Sequence, residues 1–104
     1  MVRRLRLIAP AIAELEEAAD WYASKSSDLE SRFLDEVRIA QSRICEHPAA
    51  WHPLEPAIRR YRLRRFPYGL IYAVENGEVV VLAVAHLHRE PSYWRDRLSS
   101  KPER

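Results

Sequence analysis

The sequence predicts an α+β domain in which an N-terminal strand and a helical hairpin pack on a mainly antiparallel sheet, closed by a short C-terminal helix. Three observations predict it. The first half holds two apolar stripes at helical spacing; a later run alternates apolar side chains with arginines; and Asn76-Gly77 separates two apolar runs of strand length. With 104 residues, 47% of them hydrophobic, the chain fits a single domain over residues 1–104 with one core.

In Arg3 to Ile8, Leu5 and Leu7 alternate with Arg4 and Arg6, the pattern of a half-buried strand. Pro10 then marks a helix start. Ile12, Leu15, Ala19 and Tyr22 recur at spacings of three and four, with Glu14, Glu16, Glu17 and Asp20 largely off that stripe, so residues 11–24 read as an amphipathic helix. A polar link, Ser24 to Ser27, leads to a second helix with Ser27 and Glu30 at capping-box spacing and a stripe of Leu29, Phe33, Val37, Ala40 and Ile44. His47 before Pro48 ends it. Two helices so closely joined are expected to form an antiparallel hairpin, and their stripes need a sheet to cover them.

Pro48 to Pro56 contains three prolines and reads as an ordered loop pinned by Trp51 or Leu54. In Ile58 to Phe66 the side chains of Tyr61 and Leu63 alternate with Arg60, Arg62 and Arg64, which predicts a strand with a row of guanidinium groups facing away from the helices. Tyr68 to Glu75 and Glu78 to His86 flank Asn76-Gly77, the residue pair of a two-residue type I′ hairpin, and VVVLAVA is apolar on both faces as a central strand should be. Pro91 to Leu98 can form one or two helical turns, with Tyr93, Trp94 and Leu98 available to fold back on the sheet.

Composition excludes several classes. No stretch of about 18 uncharged apolar residues occurs and the N-terminus lacks a long apolar region, so neither a membrane span nor a signal peptide is expected and the location is read as cytoplasmic. The single cysteine, Cys45, has no internal disulfide partner and reads as a small buried apolar group. Two glycines leave no Gly-rich phosphate loop. The charge is lopsided: residues 1–57 carry 7 basic and 10 acidic side chains, residues 58–104 carry 10 and 5. Fifteen of the seventeen basic residues are arginine, whose planar fork suits carboxylate or phosphate, although a solvated basic face gives the same pattern.

His86 and His88 lie two apart, as metal ligands sometimes do, but zinc needs three or four ligands and only His47 and His52 remain, so no metal and no cofactor is expected. The same segment with Arg89 and Tyr93 carries groups suited to acid/base chemistry.

The order strand, two helices, three strands and short helix, together with HPAAWHP from His47, RRYRLRRF from Arg59, YGLIYAV from Tyr68 and VAHLHREPSYW from Val84, resembles the RelE/ParE superfamily of bacterial toxins. The resemblance covers nearly the whole chain and favours the ParE-like branch, which includes plasmid stabilisation proteins. It implies the toxin of a type II toxin–antitoxin system, cytoplasmic, with a cognate antitoxin as partner. For the ParE-like branch it implies growth inhibition by binding DNA gyrase without catalysis. The RelE-like alternative is a ribosome-dependent messenger RNA endoribonuclease, with ribosome and mRNA as partners and His86, His88, Arg89 and Tyr93 as its catalytic set. That alternative is disfavoured because Gly69 stands where RelE-like ribonucleases have an arginine. An inactive homologue acting as a binding module is the third reading. Antitoxin or target binding is assigned to Arg60, Arg62, Arg64, Arg89 and Trp94, the arginine row being suited to an acidic peptide.

Overall fold

A computed structural model describes residues 4–90 and 92–99, the last two by their backbone. Its centre is the hairpin of β4 (Tyr68–Glu75) and β5 (Glu78–His86). Asn76 and Gly77 both adopt positive φ, 52° and 75°, as the type I′ turn requires, and this turn sets the pairing of Glu75 with Glu78. On one side β4 pairs antiparallel with β3 (Ile58–Arg62), which pairs with β2 (His52–Glu55); on the other, β5 pairs parallel with β1 (Leu5–Leu7). The five-stranded order is β1-β5-β4-β3-β2. The seven residues from Val79 to Ala85 are all buried, as expected of a strand covered on both faces.

One face is covered by α1 (Ala9–Ala23) and α2 (Ser27–Glu46). The hairpin forms because each helix has one apolar stripe, and the stripes meet over the sheet through Tyr22, Phe33, Phe66 and Tyr68. Tyr22 lies 5.1 Å from Phe33 and 4.9 Å from Phe66 between ring centroids, and Phe33 is wholly buried. Such pairs add about 0.5–1.5 kcal/mol each beyond their buried area. Ala11 and Ala18, rather than Ile12, carry the buried stripe of α1; Ile12 is 43% exposed. Ala11 is wholly buried and Ala18 nearly so, so much of the buried face of α1 is held by small side chains, beside Ala19 and Tyr22. Cys45 is buried, and Tyr72 donates from its hydroxyl to the Pro48 carbonyl at 2.5 Å.

The other face has its own cluster, in which Ile58, Ile71, Leu82 and Trp94 are joined by Leu54 and Tyr93. Leu54 belongs to β2, whereas Tyr93 and Trp94 come from the segment beyond the sheet. The C-terminal segment ending in α3 (Arg95–Ser99) therefore serves as the cover of this face, with Trp94 only 5% exposed.

Several sequence expectations are corrected. The proline-rich loop contains a strand: β2 sits at the sheet edge, where Pro53 removes no interior ladder bond. Trp51 and Leu54 do pin it, Trp51 at 4.7 Å from the Tyr61 ring and Leu54 in the second cluster. The N-cap of α2 is Ser26, not Ser27, its hydroxyl accepting from the amides of Asp28 and Leu29 at 3.1 and 3.3 Å. His47 is the C-cap. The third strand ends at Arg62 instead of Phe66, because Glu36 on α2 accepts from the amides of Arg64 and Arg65 and draws the chain into a turn. The C-terminal helix begins at Arg95; Pro91, Arg3 and the side chain of Leu98, also named above, lie outside the described residues.

Candidate functional site

The outer face of β3 carries Arg60 and Arg62, paired across the ladder with Ile71 and Gly69 of β4. Gly69 shapes what Arg60 does. A Cβ placed on Gly69 would lie 3.1 Å from Cγ and 3.2 Å from Cδ of Arg60, closer than a side chain normally packs. The Arg60 stem thus lies flat over the glycine, and Arg60 lines a cavity of about 130 Å³ together with Leu54, Ile71, Ala85, Leu87 and Trp94. Its Nε is buried there without a hydrogen-bond partner. Arg89, His86, Glu90 and Tyr93 complete the rim.

The arginine row of the sequence reading is divided by the structure. Arg60 and Arg62 share the outer face, but Arg64 follows the strand and opens onto the opposite side. There it lines a cleft of about 420 Å³ between α2 and the β3–β4 turn, together with Arg32, Arg43 and Arg65. Period-two alternation stops meaning anything once the chain leaves the strand.

The segment after β5 is held by a second network centred on Glu14 of α1. Arg97 donates to both carboxylate oxygens at 3.0 and 2.8 Å and to the Leu82 carbonyl at 2.9 Å, while the Val84 amide donates to Glu14 at 2.9 Å. Pairing with β1 reaches only Val81, so Glu14 and Arg97 together occupy the backbone groups of β5 that β1 leaves open. That protects an edge which would otherwise present unpaired polar groups. Two guanidinium groups lie over the Tyr93 ring, Arg89 at 3.8 Å and Arg97 at 5.0 Å from its centroid, and the hydroxyl is buried. Burial, reinforced by the Glu14 carboxylate and opposed by the two arginines, pushes that phenol up to about 12. Glu14 in turn raises the Arg97 guanidinium further above its ordinary value.

Of the sequence-derived candidates, Arg60, His86, Arg89, Tyr93 and Trp94 converge on one cavity, whereas His88 and Arg62 are exposed beside it and Arg64 lies apart. His86 accepts the His88 amide on Nδ1 at 3.1 Å, and the two rings are 5.2 Å apart. Trp94 is a wall of the cavity, buried by packing and not presented outward. Among the described residues no three His, Cys, Asp or Glu side chains cluster as metal ligands would. The sequence did not reveal Glu14 as the anchor of the C-terminal segment. One acidic residue among four on a helix carries no spacing signal, and Arg97 is 83 residues away.

Comparison with known proteins assigns the family. The family model for the ParE toxin of the parDE type II toxin–antitoxin system matches residues 5–91. The chain belongs to the ParE toxin family. Toxin ParE2 from each of two strains of Mycobacterium tuberculosis is 31% identical to this ParE-type toxin over 105 residues, covering 97% of each chain. A chain from the structure of the chromosomal ParDE TA system from P. aeruginosa superposes with a TM-score of 0.72 over 84% of this chain and 98% of that one. At 16% identity that likeness shows the shared fold. A ParE-type toxin of a type II system implies an antitoxin partner. The family match ends before Trp94 and α3, so the cover of the outer face lies outside it. Among the described residues no helix is long and apolar enough to cross a membrane.

Proposed function

We propose that this ParE-type toxin arrests growth by binding DNA gyrase in the cytoplasm, without catalysing a reaction, and that its antitoxin neutralises it by occupying the basic outer face around Arg60, Arg62 and Arg89. Arg64, on the α2 side, belongs to a separate basic cleft that can take part in partner binding only on the opposite face. The observation that carries the choice of a binder over a ribonuclease is the seating of Arg60 over Gly69. An arginine at residue 69, the group that RelE-like ribonucleases use, has no space there unless the Arg60 stem moves, so the charge developing on a cleaved phosphate would lack that donor; losing one such donor typically costs about 3–4 kcal/mol of transition-state stabilisation. The Tyr93 phenol, pushed up to about 12 and enclosed by Arg89 and Arg97, is poorly placed to exchange a proton near neutral pH. Among the described residues, His86, whose Nδ1 accepts from the His88 amide, and exposed His88 have no nucleophile hydrogen-bonded to their rings.

A reconstituted supercoiling reaction tests this reading. Purified toxin is expected to inhibit gyrase on relaxed plasmid and to leave messenger RNA on translating ribosomes intact; cleaved message with unaffected supercoiling overturns it.

A further inference from the structure

We infer that the Arg60 cavity is a seat for a single carboxylate side chain of an acidic peptide, an inference that rests on reading the outer face as the one an antitoxin occupies. Four observations carry it. The Nε of Arg60 is buried and unpartnered, an arrangement that costs free energy unless an acceptor arrives. No ion pair involving Arg60 occurs among the described residues, so its charge is available. The cavity, about 130 Å³, is several times the roughly 30 Å³ that one water occupies in the liquid, which is room for a carboxylate and its methylene stem but not for a nucleotide. Its walls at Leu54, Ile71, Leu87 and Trp94 are apolar, matching the stem.

The electrostatic surroundings favour a peptide over a nucleic acid. A phosphate chain needs a continuous track of cations, and here the track is interrupted. Glu90 lies on the rim, and Arg95 beyond it is paired with Glu55 at 2.5 Å. Arg89 is drawn toward Glu14, at 3.8 Å. One isolated carboxylate needs only the Arg60 guanidinium, in the fork geometry it prefers, and Arg89 on the same rim offsets Glu90. Gly69 is a positioning residue in this scheme: it touches no ligand, but a Cβ there would lie 3.1 Å from Cγ and 3.2 Å from Cδ of Arg60 and would shift the Arg60 stem where it passes beside the cavity.

Heteronuclear NMR of the full chain titrated with N-acetyl-glutamate amide, against its neutral match N-acetyl-glutamine amide, tests the inference. The acidic probe is expected to shift the Arg60 side-chain and Trp94 indole signals saturably, and the neutral probe is not. Arg60→Gln should weaken the acidic probe by about tenfold or more, as loss of a charge-assisted hydrogen bond implies. Gly69→Ala should weaken it with every charge retained, while Arg60→Lys should recover part of the binding. Absence of a saturable shift, or an equal response in Arg60→Gln that remains folded by its amide spectrum, overturns the inference. Displacement of the probe by a short single-stranded oligonucleotide that binds more tightly also overturns it, in favour of a nucleic-acid site. Growth arrest on expression is read separately, so loss of the carboxylate seat and loss of the toxin reading are distinguishable.

Discussion

Replacing Glu14 by alanine removes one carboxylate and takes an acceptor from two groups at once. The Val84 amide loses the carboxylate that accepts from it at the open part of β5, and Arg97, 19% exposed in its side chain, loses its two bonds to Glu14. An unsatisfied backbone donor costs about 1–3 kcal/mol. Breaking a buried ion pair by deleting one partner costs about 3–5 kcal/mol, and solvent access to Arg97 and to Glu14, itself 12% exposed in its side chain, reduces that figure here. A total near 3 kcal/mol is expected, equivalent to a Tm lowered by about 12 °C or more in a chain of this length. Glu14→Gln keeps an oxygen for the Val84 amide and loses the charge, so about 1–2 kcal/mol is expected. Chemical denaturation of the two variants, with Glu16→Ala as an exposed control on the same helix, gives the comparison. Hydrogen exchange at Val84 should rise in the alanine variant more than exchange at Val79, which is bonded to the Arg4 carbonyl. A loss below about 0.5 kcal/mol for Glu14→Ala, or equal losses for alanine and glutamine, would refute the idea that this carboxylate seals the strand edge.

Phe33→Ala, at a wholly buried position, should cost about 3–5 kcal/mol by equilibrium unfolding, whereas Ile39→Ala, half exposed on the same helix, should cost little. Ser26→Ala should cost about 1 kcal/mol through loss of the cap on two amides, and Ser27→Ala should be nearly neutral. Gly77→Val places a β-branched residue at a φ of 75° and should slow formation of the central hairpin and lower Tm, while the space around Gly77 is open, so any loss reports backbone strain and not collision. Tyr72 and Tyr93 both have phenols raised to about 12 chiefly by burial. The unfolded chain releases these protons near pH 10 while the folded chain retains them, so stability should be full below pH 10 and fall as pH rises toward 12. Tyr72→Phe and Tyr93→Phe should each flatten that decline in alkaline denaturation followed by phenolate absorbance.

The sheet hairpin was readable because its information is local: Asn76-Gly77 states the turn, and the runs on either side state the strands. β4 and β5 occur at the residues the sequence indicated. The two helices were readable in type for the same reason, since a 3.6-residue stripe needs no knowledge of the rest of the chain. Their details were not. Ile12 fits the periodic stripe of α1 as well as Ala11 does, yet Ala11 is wholly buried and Ile12 is 43% exposed. The edge strand β2 was hidden because its partner, Arg59 and Arg60 of β3, supplies the pairing that Pro53 and its neighbours do not announce.

The site was partly legible. Arg60, His86, Arg89, Tyr93 and Trp94 were singled out, and all five meet at one cavity. Arg64 lies off their face because β3 ends at Arg62, four residues before Phe66, where Glu36 accepts from the amides of Arg64 and Arg65. Gly69 stands out in the sequence for the arginine it lacks, but its positive role, making space for an arginine on the neighbouring strand, exists only once β3 and β4 are paired. Long-range relations of this kind leave no periodic trace in a single sequence.

Controlled expression of the chain in bacteria without its antitoxin, with growth, plasmid supercoiling and messenger RNA integrity followed together, tests the central claim most directly. Growth arrest with altered supercoiling and intact transcripts is expected of a ParE-type toxin that acts by binding gyrase. Transcript cleavage that disappears in Arg89→Ala, with supercoiling unchanged, would contradict it, and unimpaired growth would show a family member that binds without poisoning.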